Sequence, residues 1–468
     1  MYHDSVLAIE PYGTGYIDAA ERHGKPRDLF GLWFGANAEA ATWAVGILAT
    51  ALFGTSLHGA ILGLVLCNLG GYAIMGLVST FGPRYGVPQM VQSRYAFGFF
   101  GNAAPASLSF LSGIGWFAVD SVLGAYALDA LTHIGYLPSL GILCVAQIAI
   151  VVYGYNLIHV CERYIALALT LGFVVLGVAT FARADFSAGF NAHAPLSSGG
   201  EVAGIILSAA LAFSYVCGWM PFAADYSRYL AQSSDGRAVW WWSFLGGFIP
   251  CTLLEVMGAA TVTAVHGLDL TSVPPTAAIT ALLGTGIAGS IGLLTILLGT
   301  LTANVLNLYS AAMSALAVWG VPVARWQAAL AVGIVGGVLS SVGRNPLQTQ
   351  QLYTDFLLIL ATWVSPWAAV VIVDRVVHRH DRPDAVTPAS RSRAFRPGAV
   401  AWAIGVAAAL PFVNQSWFVG PVARTYPAIG DVSYYVGFSV AVAVMLIFAA
   451  GSPSRHASAR RSPDASKG

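Results

Sequence analysis

The sequence predicts an all-helical membrane protein of about twelve transmembrane spans, and three observations carry that expectation. Charged residues make up 9% of the chain against 57% hydrophobic, with a mean hydropathy of +0.71; a soluble domain carries about 25% charge. Apolar runs of roughly 18–25 residues recur along almost the whole length, as helical spans require and alternating outer-membrane strands would not give. Finally, the basic residues are spread unevenly over the segments that join those runs.

The runs fall near 29–53, 57–80, 102–131, 138–157, 162–182, 200–222, 240–266, 280–318, 325–341, 352–376, 398–414 and 432–450. With the N-terminus inside, 19 of the 22 Lys and Arg lie in cytoplasmic segments, leaving Arg183, Arg344 and Arg424 outside. The positive-inside rule then places both termini in the cytoplasm of a cell's cytoplasmic (inner) membrane. Residues 1–28 are polar and mixed in charge, without an apolar core or cleavage site, so no removable signal peptide is expected. A polar cytoplasmic linker, 377–397, separates a ten-helix core, 29–376, from two accessory helices, 398–450, and the tail 451–468 reads as disordered. Arginine outnumbers lysine 20 to 2, a hint of a GC-rich bacterial genome.

Several functional classes are excluded. The five cysteines (Cys67, Cys144, Cys161, Cys217 and Cys251) are scattered, with no Cys-x-x-Cys pair, and read as small apolar packing residues. No zinc spacing, nucleotide-binding glycine motif or nucleophile elbow stands out, so an enzyme, a resident cofactor or metal and a primary pump are not expected. A passive channel would need a continuous polar lining, whereas this chain offers a few polar groups at mid-depth.

Those few groups are where chemistry is expected. Span three, LSFLSGIGWFAVDSVLGAYAL (Leu108–Leu128), carries Asp120 as its only charge, near the middle, with Trp116 one helical turn before it. A bare carboxylate at the hydrocarbon centre costs roughly 2.5–3.5 kcal/mol on insertion scales, so Asp120 faces a cavity or a partner. At i and i+4 the indole and the carboxyl share a helix face, which suits a small planar polar ligand; an acid that bridges two helices is the alternative. Spans one and six look interrupted at matching places, by Gly35, Asn37 and Glu39 in GLWFGANAEAATW (Gly31–Trp43) and by Gly218 and Pro221 in SYVCGWMPFAADYSRY (Ser214–Tyr229). Broken helices at corresponding positions of two halves point to an inverted-repeat transporter with a midplane site, although Gly and Pro also permit close helix packing. In span eight, GTLTANVLNLYSAAMSAL (Gly299–Leu316), Thr302, Asn304, Asn307 and Ser310 recur at spacings of two and three. Asn307 supplies both a donor and an acceptor, matching the edge of a nucleobase; Thr302 and Ser310 suit helix packing equally well. Glu39 and Glu255 are the other acids within spans, each a proton relay or a structural counter-ion, and Asp225 with Arg228 reads as a surface or gate pair.

Together these segments resemble the purine–cytosine permease branch of the nucleobase–cation symporter family. The resemblance is carried by FGLWFGANAE, FGPRYGVPQMVQSRYAFG (Phe81–Gly98), GWFAVDSVLG, GWMPFAADYSRY, TANVLNLYSA and SPWAAVVIVD, and it covers roughly residues 20–450. It implies a five-plus-five inverted-repeat fold of the leucine-transporter type, with two extra helices, and uptake of a purine or cytosine-like base by cation symport. It also implies site residues: Trp116 as the indole on which the ring stacks, Asp120 where relatives carry Asn or Gln, and Asn307 as a substrate-binding amide. Trp219 with Tyr215, Val216 and Gly218 falls in the unwound part of span six, and Gly35 and Asn37 at the break of span one. Two departures matter. Asp120 replaces a neutral amide, which favours a ligand with N–H groups, a cationic ring or proton coupling. Sodium-coupled relatives place two adjacent hydroxyls where this chain has Leu301 and Thr302, so a proton is the expected coupling ion rather than sodium. Asp120, Glu39, Glu255 and Thr302 are the coupling candidates. A vitamin (pyridoxine or thiamine) or a hydantoin or allantoin are the other substrates within the family; the functional unit is expected to be monomeric and to have no nucleic-acid partner.

Overall fold

The computed structural model describes residues 13–451 apart from 154, 266–267, 271–272, 320–322, 344 and 379–394. The tail beyond 451 and most of the 377–397 linker therefore lie outside the described residues.

The described chain is helical. In order it forms α1 (Asp28–Asn37), α2 (Ala40–Ala51), α3 (Leu57–Ser79), α4 (Phe81–Tyr85), α5 (Gln89–Gln92), α6 (Arg94–Gly101), α7 (Ala103–Thr132), α8 (Tyr136–Tyr153) and α9 (Tyr155–Phe181). There follow α10 (Gly200–Trp219), α11 (Ala223–Ser227), α12 (Gly236–Ala264), α13 (Thr276–Leu283), α14 (Ile287–Trp319), α15 (Arg325–Ser340), α16 (Pro346–His378), α17 (Pro397–Ala409), α18 (Pro421–Thr425) and α19 (Ser433–Gly451). Among the described residues, seven helices are long and apolar enough to cross a membrane, and five shorter apolar ones (Ala40–Ala51, Tyr136–Val152, Leu167–Phe181, Arg325–Ser340 and Pro397–Phe412) fall on the other five runs. Polar side chains start several of them, as orphan N–H groups at a helix N-terminus demand. Ser56 Oγ accepts from Gly59 N at 3.1 Å ahead of α3. The Asp235 carboxylate accepts from Arg237 N and Ala238 N ahead of α12.

Three boundaries differ from the sequence expectation. The expected eighth span, 280–318, divides into α13 and α14, because Gly284 turns the chain at φ +76°. Of the three residues expected to interrupt span one, Glu39 lies at the break beside Ala38, extended at φ −146°, ψ 173°, whereas Gly35 and Asn37 are still inside α1. Span six is not unwound but tightened: Trp219 through Phe222 keep right-handed angles, and Met220–Phe222 form a 3₁₀ turn at Pro221. A missing N–H at Pro removes one ladder bond, which a tighter turn absorbs without opening the helix.

The second five-span unit, α10 to α16, repeats the first, α1 to α9. Corresponding helices pack on each other, α7 along α14 and α3 against α12, and α3 also lies against α10. The last pair, α17 and α19, packs together and onto α16. Small residues allow the tightest crossing, where α2 meets α12. A Cβ on Gly46 would stand 1.7 Å from the Glu255 carbonyl oxygen, and one on Gly258 would stand 2.0 Å from that of Trp43. Such close backbone approach is how helices gain dispersion contact in lipid, where the hydrophobic effect does not drive them together. Gly46→Leu or Gly258→Leu should therefore lower stability by about 1–3 kcal/mol or more, measured as a lower unfolding midpoint of the purified protein in detergent.

Candidate functional site

The polar residues expected in mid-span gather around the Ala38–Glu39 break. Asp120 (α7) and Asn307 (α14) meet directly: Asn307 Nδ2 donates to Asp120 Oδ2 at 3.0 Å. The carboxyls of Asp120 and Glu39 are within hydrogen-bonding reach of each other. Glu39 Oε2 accepts from Ala41 N at 3.4 Å, so the same acid caps α2. The Tyr215 hydroxyl is 2.8 Å from Glu39 Oε1 and 2.6 Å from Thr42 Oγ1. Glu39, Asp120, Asn37, Thr42 and Tyr215 are all fully buried. Among the described residues no Lys, Arg or His stands against Glu39 or Asp120.

Trp116 is packed edge-on by aromatic rings. Its centroid lies 5.3 Å from Tyr215, 5.3 Å from Phe356 and 6.1 Å from Tyr353, at interplanar angles of 74–83°. Gly218 comes against its indole: a Cβ there would be 2.5 Å from Trp116 Nε1, so only glycine leaves room for that side chain. Trp219 packs edge-on to Trp33 of α1 at 5.8 Å and lies 6.5 Å from Phe222.

The hydrogen-bond accounting of these groups is uneven. Buried polar atoms are nearly always paired, and an unpaired one costs about 1–3 kcal/mol. Yet Trp116 Nε1, Trp219 Nε1, Asp120 Oδ1 and Asn307 Oδ1 are buried without a donor or acceptor, apart from any proton shared between the two acids.

Other expected site residues are engaged elsewhere. Asn37 donates from Nδ2 to the Trp33 carbonyl at 2.7 Å, accepts from the Tyr72 hydroxyl at Oδ1, and offers its own carbonyl to Thr42; its hydrogen-bonding capacity ties off the end of α1. Gly35 is buried within α1. The Val216 side chain packs on α3, within 3.1–3.3 Å of where a Gly71 Cβ would stand. Thr302 donates to the Gly299 carbonyl at 2.9 Å, one turn back on its own helix. Glu255 belongs to a second cluster: Asn68 Nδ2 donates to its Oε2 at 2.6 Å and the Cys251 thiol lies 3.4 Å from its Oε1. Asp225 and Arg228 are buried rather than on the surface: Gln89 N donates to Asp225 Oδ1 at 2.8 Å, and Arg228 donates to the Gly13 carbonyl and the Tyr309 hydroxyl. Trp33, Tyr353 and Phe356 were not singled out from sequence. The i, i+3 spacing of Tyr353 and Phe356 puts two aromatic rings on one face of α16, a signal that was available.

Both approaches to the site are closed. Toward the α1 N-terminus, Tyr226 donates to the Leu306 carbonyl at 2.9 Å and accepts from Ser310 at 3.1 Å, while the Tyr229 and Tyr309 hydroxyls meet at 3.2 Å. On the other side, a cavity of about 20 Å³ lies among Ala44, Val119, Leu123, Pro275, Gln350 and Tyr353, which is room for a single water.

Known proteins share this sequence and this fold. A family model described as permease for cytosine/purines, uracil, thiamine, allantoin matches residues 16–437. YxlA of Bacillus subtilis (strain 168) is 28% identical over 454 residues, covering 93% of this chain and 94% of its own. The purine-cytosine permease fcyB of Emericella nidulans is 27% identical over 452 residues, covering 93% and 87%. Among solved structures, Mhp1, a nucleobase-cation-symport-1 family transporter in a closed conformation with bromovinylhydantoin bound, superposes with a TM-score of 0.72 at 18% identity, covering 95% of this chain and 96% of that one. That likeness shows the fold to be the inverted-repeat arrangement of the leucine-transporter type.

One neighbour of the site is structural. Asn304 Nδ2 donates to the Phe117 carbonyl at 3.0 Å and to Ser121 Oγ at 2.9 Å, strapping α14 to α7. Asn304→Ala should lower stability by about 1–3 kcal/mol, read as a lower midpoint in detergent unfolding, without changing which ligands shift that midpoint.

Proposed function

The chain belongs to the family of permeases for cytosine/purines, uracil, thiamine and allantoin, a family of transporters and not of enzymes, and on that footing we propose that it imports a purine or cytosine-like base by proton symport. In this reading the protein sits in the cytoplasmic membrane with both termini inside. The base stacks between Trp116 and Trp219, while Asp120 and Asn307 read its polar edge. One observation carries the reading: each of the four residues assigned to the ligand holds a buried polar atom without a partner, Trp116 Nε1, Trp219 Nε1, Asp120 Oδ1 and Asn307 Oδ1. A planar ring with alternating N–H and C=O groups supplies donors and acceptors to such atoms, and offset stacking on an indole adds about 0.5–1.5 kcal/mol.

The proton is preferred over sodium because a hard cation wants several oxygen ligands. At the pair of span-eight positions where sodium-coupled relatives carry two adjacent hydroxyls, this chain has Leu301 and Thr302, so a single hydroxyl oxygen remains there. A vitamin such as pyridoxine or thiamine, or a hydantoin or allantoin, is the second reading. Asp120 favours it, since a carboxyl accepts from extra N–H groups or neutralises a cationic ring, which a neutral amide does not.

Trp116→Ala should abolish saturable uptake of radiolabelled cytosine or purines into proteoliposomes while the protein still elutes as a folded, monodisperse species. Transport at the native rate would exclude the stacking role. A protonophore should collapse accumulation that replacing sodium with choline leaves intact; strict dependence on sodium would overturn proton coupling. Trans-stimulated counterflow separates this carrier from a passive pore.

A further inference from the structure

Four contacts between oxygen atoms run in a line through the centre of the bundle. The Asp120 and Glu39 carboxyls touch. Glu39 Oε1 is 2.8 Å from the Tyr215 hydroxyl, which is 2.6 Å from Thr42 Oγ1, which is 2.7 Å from the Asn37 carbonyl. Each such contact needs one hydrogen between its two oxygens. The hydroxyls of Tyr215 and Thr42 supply two, and the remaining two contacts both include Glu39. The hydrogens can be placed in only a few ways. If Thr42 donates to the Asn37 carbonyl and Tyr215 donates to Thr42, the contact between Glu39 and Tyr215 is filled only by a proton on Glu39. If Glu39 is ionised, Tyr215 turns its hydrogen to Glu39. Thr42 then has one hydrogen for two acceptors, and one of its short contacts opens.

The surroundings agree with a neutral acid. The titratable groups that interact with Glu39 are Asp120 on α7, Tyr215 on α10, Tyr353 on α16, Tyr72 on α3 and Cys251 on α12. None is basic. The backbone bond from Ala41 N reaches Glu39 Oε2, the oxygen that does not face Tyr215, and the carbonyl oxygen of a protonated acid accepts it. The contacts at stake hold the architecture: the Asn37 carbonyl ends α1, Thr42 is in the first turn of α2, and Tyr215 lies in α10 beside Trp116.

We propose that Glu39 is the residue that binds the transported proton, and that its O–H sets the direction of the Glu39–Tyr215–Thr42–Asn37 chain joining the break in span one to span six. The inference rests on the proton-symport reading of this site. The balance is simple. An O–H bond forms on Glu39 with a proton from water on the side from which the ligand enters, and breaks when the proton is returned to water on the other side. No other bond changes. Loss of that proton leaves Thr42 unable to hold both the Asn37 carbonyl and Tyr215, so the junction between α1, α2 and α10 loosens when Glu39 ionises.

Infrared difference spectroscopy of the purified full chain, titrated with pH and without ligand, tests the residue separately from the transport reading. A protonated buried carboxyl gives its own C=O stretch. That band should titrate in the native protein, disappear in Glu39→Gln and persist in Glu255→Gln. Tyr215→Phe should retain the band but shift its position, because the acid's hydrogen-bond partner is gone; this nearly isosteric variant keeps the test open should Glu39→Gln fail to fold. In proteoliposomes, Glu39→Gln should lose at least tenfold of the accumulation driven by a pH gradient. A band unchanged in Glu39→Gln, or unshifted in Tyr215→Phe, overturns the assignment. So does gradient-driven accumulation by Glu39→Gln at the native level. If no base is transported by the native protein, the symport reading fails while the spectra still decide whether Glu39 carries the proton.

Discussion

The organisation of this protein depends on three carboxyl groups, Glu39, Asp120 and Glu255, that are fully enclosed by helices with no basic side chain among the described residues against them. Burying an unpaired charge is among the most expensive things a protein can do, so each acid must be neutral, hydrogen-bonded or both. The hydrogen bonds of mid-bundle are arranged accordingly. Asn307 and Tyr215 serve the Asp120–Glu39 pair, and Asn68 and Cys251 serve Glu255. Tyr72 and Thr42, both on Asn37, tie the end of α1 into the same region. These groups come from spans one, two, three, six, seven and eight, which is why the polar network and the helix arrangement are hard to separate energetically.

The helix arrangement supplies the room. Each half places its first span against its partner's second and third, and the crossing of α2 on α12 is close because Gly46 and Gly258 present no side chain. The Glu255 carbonyl lies under Gly46, so the second acid cluster and the crossing are parts of one contact. Gly218 plays the equivalent part beside span three, letting the indole of Trp116 lie on the backbone of α10. An apolar chain in lipid gains little by burying more leucine. It gains by backbone approach and by satisfying polar atoms, and both concentrate in the same few turns.

Much of this was legible in the sequence. Twelve apolar runs, the paired interruptions and the position of Asp120 four residues after Trp116 were enough to expect the fold and the region of the site. The details that were not legible are those decided across helices. Gly35, Asn37 and Glu39 together looked like the break, glycine and asparagine because they weaken helices locally; the chain leaves the helix only at Ala38 and Glu39, where the carboxyl can cap α2 and reach Asp120. The Gly218–Pro221 segment looked unwound by the same local logic, but a 3₁₀ turn absorbs the missing N–H. Val216 shares a helix with Tyr215 and faces α3 instead. Tyr353 and Phe356, nearly 240 residues after Trp116, close around its ring, and only the packing of α16 onto α7 brings them there.

The two closures of the site are built from different interactions. Toward the α1 N-terminus the seam is polar and much of it is made by side-chain hydrogen bonds: Tyr226 to the Leu306 carbonyl, Ser310 to Tyr226, Arg228 to Tyr309 and Gly13, and Gln89 N to Asp225. On the opposite side the seam is mostly aliphatic, formed by Ala44, Ile47, Val119 and Leu123, with the Tyr353 hydroxyl bonded to the Ala41 carbonyl at 3.1 Å. Opening a polar seam to water exchanges protein hydrogen bonds for water ones at a net cost of about 0.5–1.5 kcal/mol each, and it succeeds only if water reaches every partner. Opening the aliphatic seam costs in proportion to the apolar area exposed, about 25 cal/mol per Å², with fewer side-chain hydrogen bonds at stake, among them that of Tyr353 to the Ala41 carbonyl. The Ala41 carbonyl that Tyr353 holds is two residues from Glu39, so the same turn of α2 carries the cap, the seam and the carboxyl.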